Sequence, residues 1–279
     1  MRVTVLIENT AEDGFISEHG LSFWISFGDK NYLLDSGSTD AFLENARRLG
    51  ISLEQTDACF LSHGHYDHSG GFAEMFRVYG ERPLYAMETA GEEYYSGSGG
   101  SIHEIGVPEL LCEKYGHCFQ SIEKVTQVSD NVYLVPHNTP GLEAIGERAL
   151  LYCKDGGQLL PDDFRHEMSV VFQTDRGLVV FNSCSHSGAA VILDEVEQVF
   201  PGEKVLAFLG GLHMKGRKEG AEICTFSKEE VQQLAEDLKK RGLQRLYTGH
   251  CTGGPGLELL QKYLGERVQA LTTGMIIEF

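Results

Sequence analysis

Ala58-Cys59-Phe60-Leu61-Ser62-His63-Gly64-His65-Tyr66-Asp67-His68 is a short apolar run that ends in three imidazoles and a carboxylate. Imidazole nitrogen and carboxylate oxygen are the donors that Zn²⁺ and similar divalent ions take as ligands. In extended backbone, residues two apart point to the same side, so His63 and His65 can grip one ion. Asp67 and His68 lie where the chain turns ahead of Gly70-Gly71, in place to serve a second ion nearby. The plain alternative is a polar surface turn, and four donor side chains at this spacing argue against it.

Working outward, residues 3–7, 21–27 and 32–34 read as strands, the last two joined by the hairpin-like turn Gly28-Asp29-Lys30-Asn31. Residues 39–49 read as a helix with Phe42, Ala46 and Leu49 on one face and Gly50 at its stop. Residues 58–61 form a buried strand that feeds the histidine motif, and 72–76 begin a helix over it. Residues 88–120 form an irregular insertion. Its Gly97-Ser98-Gly99-Gly100-Ser101 run reads as a mobile loop over a site. A second strand-rich block follows at 132–135, 149–153, 169–174 and 178–181, then a helix at 189–200 and a strand at 205–209. Residues 227–241 carry the clearest helix signals. Ser227 and Glu230 make a capping box, Phe226 and Val231 a staple, and Val231, Leu234 and Leu238 an apolar stripe before Gly242. Leu246-Tyr247 leads into Gly249-His250, and residues 275–279 close the chain as a strand. Two strand-rich halves, each ending in helices and with no linker between them, suit one α/β (α+β) domain over 1–279, sheet packed on sheet with helices outside.

Composition narrows the function classes. With 42% hydrophobic residues, 279 residues supply a sizeable core. A formal charge of −18, with no Lys/Arg-rich run, repels a nucleic-acid backbone and argues against general RNA or DNA binding. No apolar stretch approaches a membrane span. The seven cysteines include no C-x-x-C pair, and no signal-peptide pattern opens the chain, which fits free thiols in a cytoplasmic protein. The partner expected is a small-molecule substrate; the oligomeric state is not set by the sequence.

The His-x-His-x-Asp-His segment at a strand end resembles the signature of the metallo-β-lactamase superfamily. Leu33-Leu34-Asp35-Ser36-Gly37 is similar to that superfamily's early strand-Asp-x-Gly element. Glu18-His19-Gly20-Leu21-Ser22, Asn182-Ser183-Cys184-Ser185-His186, Gly210-Gly211-Leu212-His213 and Gly249-His250-Cys251-Thr252-Gly253 together resemble one branch. That branch is related to 7,8-dihydropterin-6-methyl-4-(β-D-ribofuranosyl)aminobenzene-5′-phosphate synthase and includes bacterial metal-dependent hydrolase-like members. The resemblance implies an αββα sandwich with the metal site at one edge of the two sheets. It implies that His63, His65 and His186 hold one ion and that Asp67, His68 and His250 hold the other. Zinc is the default for such donors, two ions being expected, and Mn or Fe would fit the same set.

The chain departs from the superfamily pattern at Cys184, which stands about where a bridging Asp is expected, either as a thiolate ligand or as a small buried residue beneath the site. His213 ends a Gly-Gly-Leu-His strand terminus and is read as a proton donor, a substrate contact or a further ligand. Asp35 is a candidate to orient a ligating imidazole, with a helix N-terminal acid as its plain reading. His19 is read as ordering a loop near the cleft, His137 as a reserve ligand, and His166 and Glu167 as a polar loop that can face the cleft. His103 and His117 read as surface residues.

The chemistry expected is hydrolysis of a small ester, phosphoester or lactone by metal-activated water, with Asp67 orienting the nucleophile and His213 protonating the leaving group. One alternative is a transferase that couples a dihydropterin pyrophosphate to an arylamine ribofuranosyl phosphate-type acceptor. Tyr94, Tyr95, Arg148 and Lys215 are available for such a substrate. Another is a non-catalytic metal-binding or redox-sensing protein, which the free cysteines permit.

Overall fold

The computed structural model describes residues 1–279. One seven-stranded sheet runs in the order Ile276–Glu278, Arg2–Ile7, Ser22–Phe27, Lys30–Leu34, Ala58–Phe60, Leu84–Met87, Phe119–Ile122. Its pairings are antiparallel as far as Lys30–Leu34 and parallel beyond it. A second seven-stranded sheet runs Val268–Ala270, Arg245–Thr248, Val205–Leu209, Gly177–Phe181, Met168–Thr174, Val132–Pro136, Thr126–Ser129. Here the first four strands are parallel and the rest antiparallel.

Strand alternation builds the layers. Val170, Phe172, Val179 and Phe181 point between the sheets into a 42-residue apolar cluster. Their neighbours Val171, Leu178 and Val180 point outward into a 21-residue cluster with the helices Ala189–Val199, Lys228–Lys240 and Gly253–Leu264. Edge-on aromatic contacts knit the sheets, Phe23 to Phe181 at 5.4 Å and Tyr32 to Phe172 at 5.8 Å between centroids. Ala41–Arg48 and Phe72–Tyr79 cover the first sheet through Phe42, Ala46, Phe72, Met75 and Phe76. This is the αββα sandwich. No helix is long and apolar enough to cross a membrane.

The capping box at Ser227 is present: Glu230 N donates to Ser227 Oγ at 3.1 Å and Ser227 N to Glu230 Oε2 at 2.7 Å. Three other regions differ from expectation. The strand expected at 149–153 begins at Leu151, because helix Glu143–Ala149 precedes it and Leu150 turns the chain with φ 57°. Residues 88–120 are more regular than composition suggests. They supply helix Glu109–Tyr115 and the strands Tyr94–Ser96 and His103–Glu104, which join Leu151–Asp155 and Gln158–Pro161 in a four-stranded sheet. The 97–101 run is the turn between the two strands of that stretch. Helix Gly253–Leu264 was hidden by its Gly-Gly-Pro-Gly opening.

Parallel neighbours end at the same edge. The carboxyl ends of Lys30–Leu34 and Ala58–Phe60 in one sheet, and of Gly177–Phe181, Val205–Leu209 and Arg245–Thr248 in the other, release Asp35, the 63–68 motif, His186, His213 and His250.

Candidate metal centre

His63 and His65 leave strand Ala58–Phe60 two residues apart, with ring centroids 4.5 Å from each other. His186 stands 4.9 Å from each. One ring nitrogen from each of the three lies within 4.8 Å of the others. All three rings are buried, and Nε2 of His63, Nε2 of His65 and both nitrogens of His186 have no hydrogen-bond partner. Each unpartnered buried nitrogen costs about 1–3 kcal/mol, so three aimed together demand a common partner. The tautomer suits a ligand: His63 Nδ1 donates to Ser62 Oγ at 2.8 Å, and that hydroxyl donates to Asp35 Oδ2 at 2.7 Å. The Nε2 lone pair of His63 is left for an ion.

Backbone contacts hold these rings. Gly64 N donates to His166 Nδ1 at 2.9 Å, and a β-carbon at this glycine would collide with the Ala90 carbonyl oxygen. His186 N and Ser187 N donate to the two Glu167 carboxylate oxygens at 2.8 and 2.9 Å.

A second cluster adjoins the first through His63 and His68, whose centroids are 4.2 Å apart. His68 Nε2 and His250 Nε2 approach to 3.3 Å, and Asp67 Oδ2 lies 3.6 and 3.4 Å from them. Nδ1 of His68 donates to Asp35 Oδ2 at 2.8 Å and Nδ1 of His250 to Asn9 Oδ1 at 3.0 Å. Both Nε2 atoms therefore face one another beside a carboxylate, an arrangement that calls for positive charge between them, a proton or a metal ion. Cys184 Sγ is 3.3 Å from His68 Nε2. Asp35 also accepts from Ser62 N at 2.8 Å and Ser183 Oγ at 2.6 Å, so one buried carboxylate orients imidazoles in both clusters. The helix-cap reading of Asp35 is thereby excluded, since the next helix begins at Ala41.

The electrostatics follow from burial and neighbours. Burial, with imidazoles around each, pushes His65 down to about 3 and His63 and His186 well below the usual range, so these rings are neutral donors. Burial alone would raise the Asp67 carboxyl, but His68, His250 and His19 hold it ionised and well below the usual carboxylate range. Burial opposes charge on His250, yet the contact with Asp67 lifts it to about 9. Three neutral imidazoles in one cluster, and two imidazoles with an ionised carboxylate in the other, fit divalent cations in donor type and number.

A family model for the metallo-beta-lactamase superfamily matches residues 18–147. The chain is 28% identical to a 7,8-dihydropterin-6-methyl-4-(β-D-ribofuranosyl)-aminobenzene-5′-phosphate synthase of Methanocaldococcus jannaschii, over 95% of this chain and 91% of the relative. It superposes with TM-score 0.80 and 27% identity on the crystal structure of a metal-dependent hydrolase of the β-lactamase superfamily, covering 100% of this chain and 99% of that one. In sequence and in fold the chain is similar to the metallo-β-lactamase superfamily. Its likeness to Zn²⁺-bound PqqB from Methylobacterium extorquens, with TM-score 0.59 and 13% identity over the full length of both chains, adds the superfamily fold alone.

Around this candidate centre the other histidines separate. His213 packs on His186 at 4.4 Å between centroids, partly exposed, with Nδ1 unpartnered. His19 reaches Asp67 Oδ2 at 3.2 Å and stacks on His250 at 4.9 Å, closer to the centre than a loop-ordering residue need be. His137 is not a reserve ligand: its nitrogens meet Glu195 Oε2 at 2.6 Å and Ser169 Oγ at 3.0 Å. His166 is likewise occupied, donating from Nε2 to Asp162 Oδ2 at 3.0 Å while Nδ1 receives Gly64 N–H. Glu167 does not face the cleft but staples the His186 loop. His103 and His117 lie on the surface.

Asp35, Ser185, His213 and His250 all have positive φ, at 58°, 53°, 47° and 47°. Such backbone is costly for residues with a β-carbon and clusters where geometry serves a site. Glu8 and Asn9, which clamp His250 from the far end of the chain, escaped sequence reasoning. Glu8 accepts from His250 N, and burial raises its carboxyl pKa. No local pattern links residues separated by more than 240 positions.

Proposed function

We propose that this chain is a dinuclear metal enzyme, zinc being the natural occupant, that hydrolyses a small ester, phosphoester or lactone. The observation that carries the reading is the meeting of the unpartnered His63, His65 and His186 nitrogens beside the Asp67, His68 and His250 donors. His63, His65 and His186 hold one ion and Asp67, His68 and His250 the other. Bound there, divalent cations supply Lewis acidity to the substrate oxygen and lower the pKa of water toward neutrality. Asp67, kept ionised by its three imidazole neighbours, accepts a hydrogen bond from the attacking nucleophile and fixes its direction. His213, on the open side of His186, delivers a proton to the leaving oxygen. Asp35 keeps His63 and His68 in the tautomers that present Nε2. The whole chain acts as one domain on a small molecule, and its seven unpaired cysteines suit a reducing cytoplasm.

A second reading, coupling of a dihydropterin pyrophosphate to an arylamine, draws on the 28% identity to the synthase over 95% of the chain. Of the side chains available for it, Arg148 is paired with Glu230 at 2.5 Å and Tyr94 is buried against His166. Lys215 is paired with Glu222 at 3.4 Å, and its charge adds a little to the burial that lowers the His19 pKa. Metal-loaded protein assayed on a panel of phosphoesters, carboxylesters and lactones tests the hydrolase reading. A parallel reaction with dihydropterin pyrophosphate and an arylamine tests the other. Coupled product without hydrolysis overturns the first, and inactivity in both overturns the enzyme reading.

A further inference from the structure

We infer that Cys184 is the fourth protein ligand of the Asp67–His68–His250 position, which makes that position a closed tetrahedral thiolate site and leaves the three-histidine position as the open one. The inference deepens the metal reading above and rests on it. Tetrahedral zinc with bonds of about 2.0–2.1 Å to nitrogen or oxygen and about 2.3 Å to sulfur sets its donors about 3.3–3.4 Å apart, or about 3.5 Å where one is sulfur. The His68–His250, Asp67–His250 and Asp67–His68 donor separations are 3.3, 3.4 and 3.6 Å, and Cys184 Sγ to His68 Nε2 is 3.3 Å. Cys184 and His250 also offer donor atoms within 4.8 Å of each other. Three donors thus stand at the spacing of one coordination shell, and the Cys184 sulfur stands at that spacing from His68.

The neighbouring Cys251 is the competing thiol, since it too offers a donor within 4.8 Å of His250. Cys251 Sγ accepts His213 N–H at 3.4 Å and directs its own proton at the Cys184 carbonyl at 3.6 Å, contacts that hold it toward His213, whereas the Cys184 sulfur is the one in contact with His68. Cys184 is buried, and its thiol makes no contact with a backbone acceptor. On binding it releases its proton to solvent and coordinates as the thiolate. Two consequences follow. A soft donor favours zinc over manganese at this position. A shell of four protein ligands leaves no vacancy there, so the substrate engages the His63–His65–His186 position, whose three protein ligands leave room for one more.

X-ray absorption at the zinc edge of the full-length, zinc-loaded protein tests this without depending on activity. The expected result is a sulfur shell at about 2.3 Å amounting to one sulfur per two zinc ions. Cys251→Ser should keep that shell, and Cys184→Ser should abolish it and reduce the zinc content from two ions per chain to one. Two zinc ions with only nitrogen and oxygen neighbours overturn the thiolate ligand and leave the metal reading intact. A chain that takes up no zinc overturns both. Loss of the sulfur shell in Cys251→Ser while Cys184→Ser keeps it assigns the ligand to Cys251 and overturns the proposal. Should Cys184→Ser fail to fold, the spectra of the unaltered protein and of Cys251→Ser still decide the matter.

Discussion

Replacing Asp35 by Asn perturbs both metal positions through one atom. Asp35 accepts four hydrogen bonds, from Ser62 N, Ser62 Oγ, Ser183 Oγ and His68 Nδ1, at 2.6–2.8 Å. Asn keeps the volume and can still accept from Ser62 N, but it turns an NH₂ toward the three donors that meet Oδ2. The two hydroxyls can rotate to accept. His68 cannot, unless its proton moves from Nδ1 to Nε2, and that removes the lone pair offered to the ion. Loss of such an orienting partner costs about 10–100-fold in metal affinity, equivalent to about 1.4–2.8 kcal/mol. His63 shares the effect because its hydrogen-bond chain runs through Ser62 to the same carboxylate. The assay is zinc competition against a chromophoric chelator, with urea unfolding of the metal-free variant to separate binding from folding. The expected result is weaker binding at both positions with the fold retained. Affinity within threefold of the unaltered protein at both would refute the tautomer argument.

His213→Gln should lower kcat by about 10²–10⁴-fold and leave two ions per chain; unchanged turnover of a phosphoester would remove His213 from the chemistry. Acid should destabilise the metal-free protein: each imidazole depressed by burial binds a proton only when unfolded. His63, His65 and His186 should each therefore cost about 1.4 kcal/mol per pH unit as pH falls below about 6.5, for His65 until about 3. His250, lifted to about 9, acts oppositely: its contribution is complete below about 6.5 and fades as pH rises through about 9. A urea midpoint that does not move between about pH 7 and about pH 5 would contradict this reading. Gly64→Ala should cost about 1–3 kcal/mol by forcing the turn away from Ala90; an unchanged urea midpoint would count against the tight turn.

The histidine motif of the candidate site is legible because its donors are close in sequence and follow an apolar strand. His186 and His250 were legible because each follows a strand end and sits among small residues. Residues that act through tertiary contact carried no such signal. Glu167 acts on the backbone of residues about 20 positions away, and His166 acts on Gly64, 102 positions away. Both look like ordinary loop polarity. Cys184 was ambiguous for the same reason: only the fold brings its sulfur to His68. Helix Gly253–Leu264 was masked because Gly-Gly-Pro-Gly reads as a breaker, although Gly256, Leu260 and Leu264 recur at four-residue spacing and are its buried positions. Of the small sheet around Tyr94–Ser96 the sequence shows only Leu151–Asp155, because its strands are two to five residues long and separated by glycine-containing turns.

Anomalous scattering at the zinc edge from crystals of zinc-loaded protein bears most directly on the central claim. Two peaks are expected, one among His63, His65 and His186 and one among Asp67, His68 and His250. Diffraction from well-ordered crystals with no anomalous peak at either cluster, under zinc in excess, would contradict a metal centre at this edge of the sandwich.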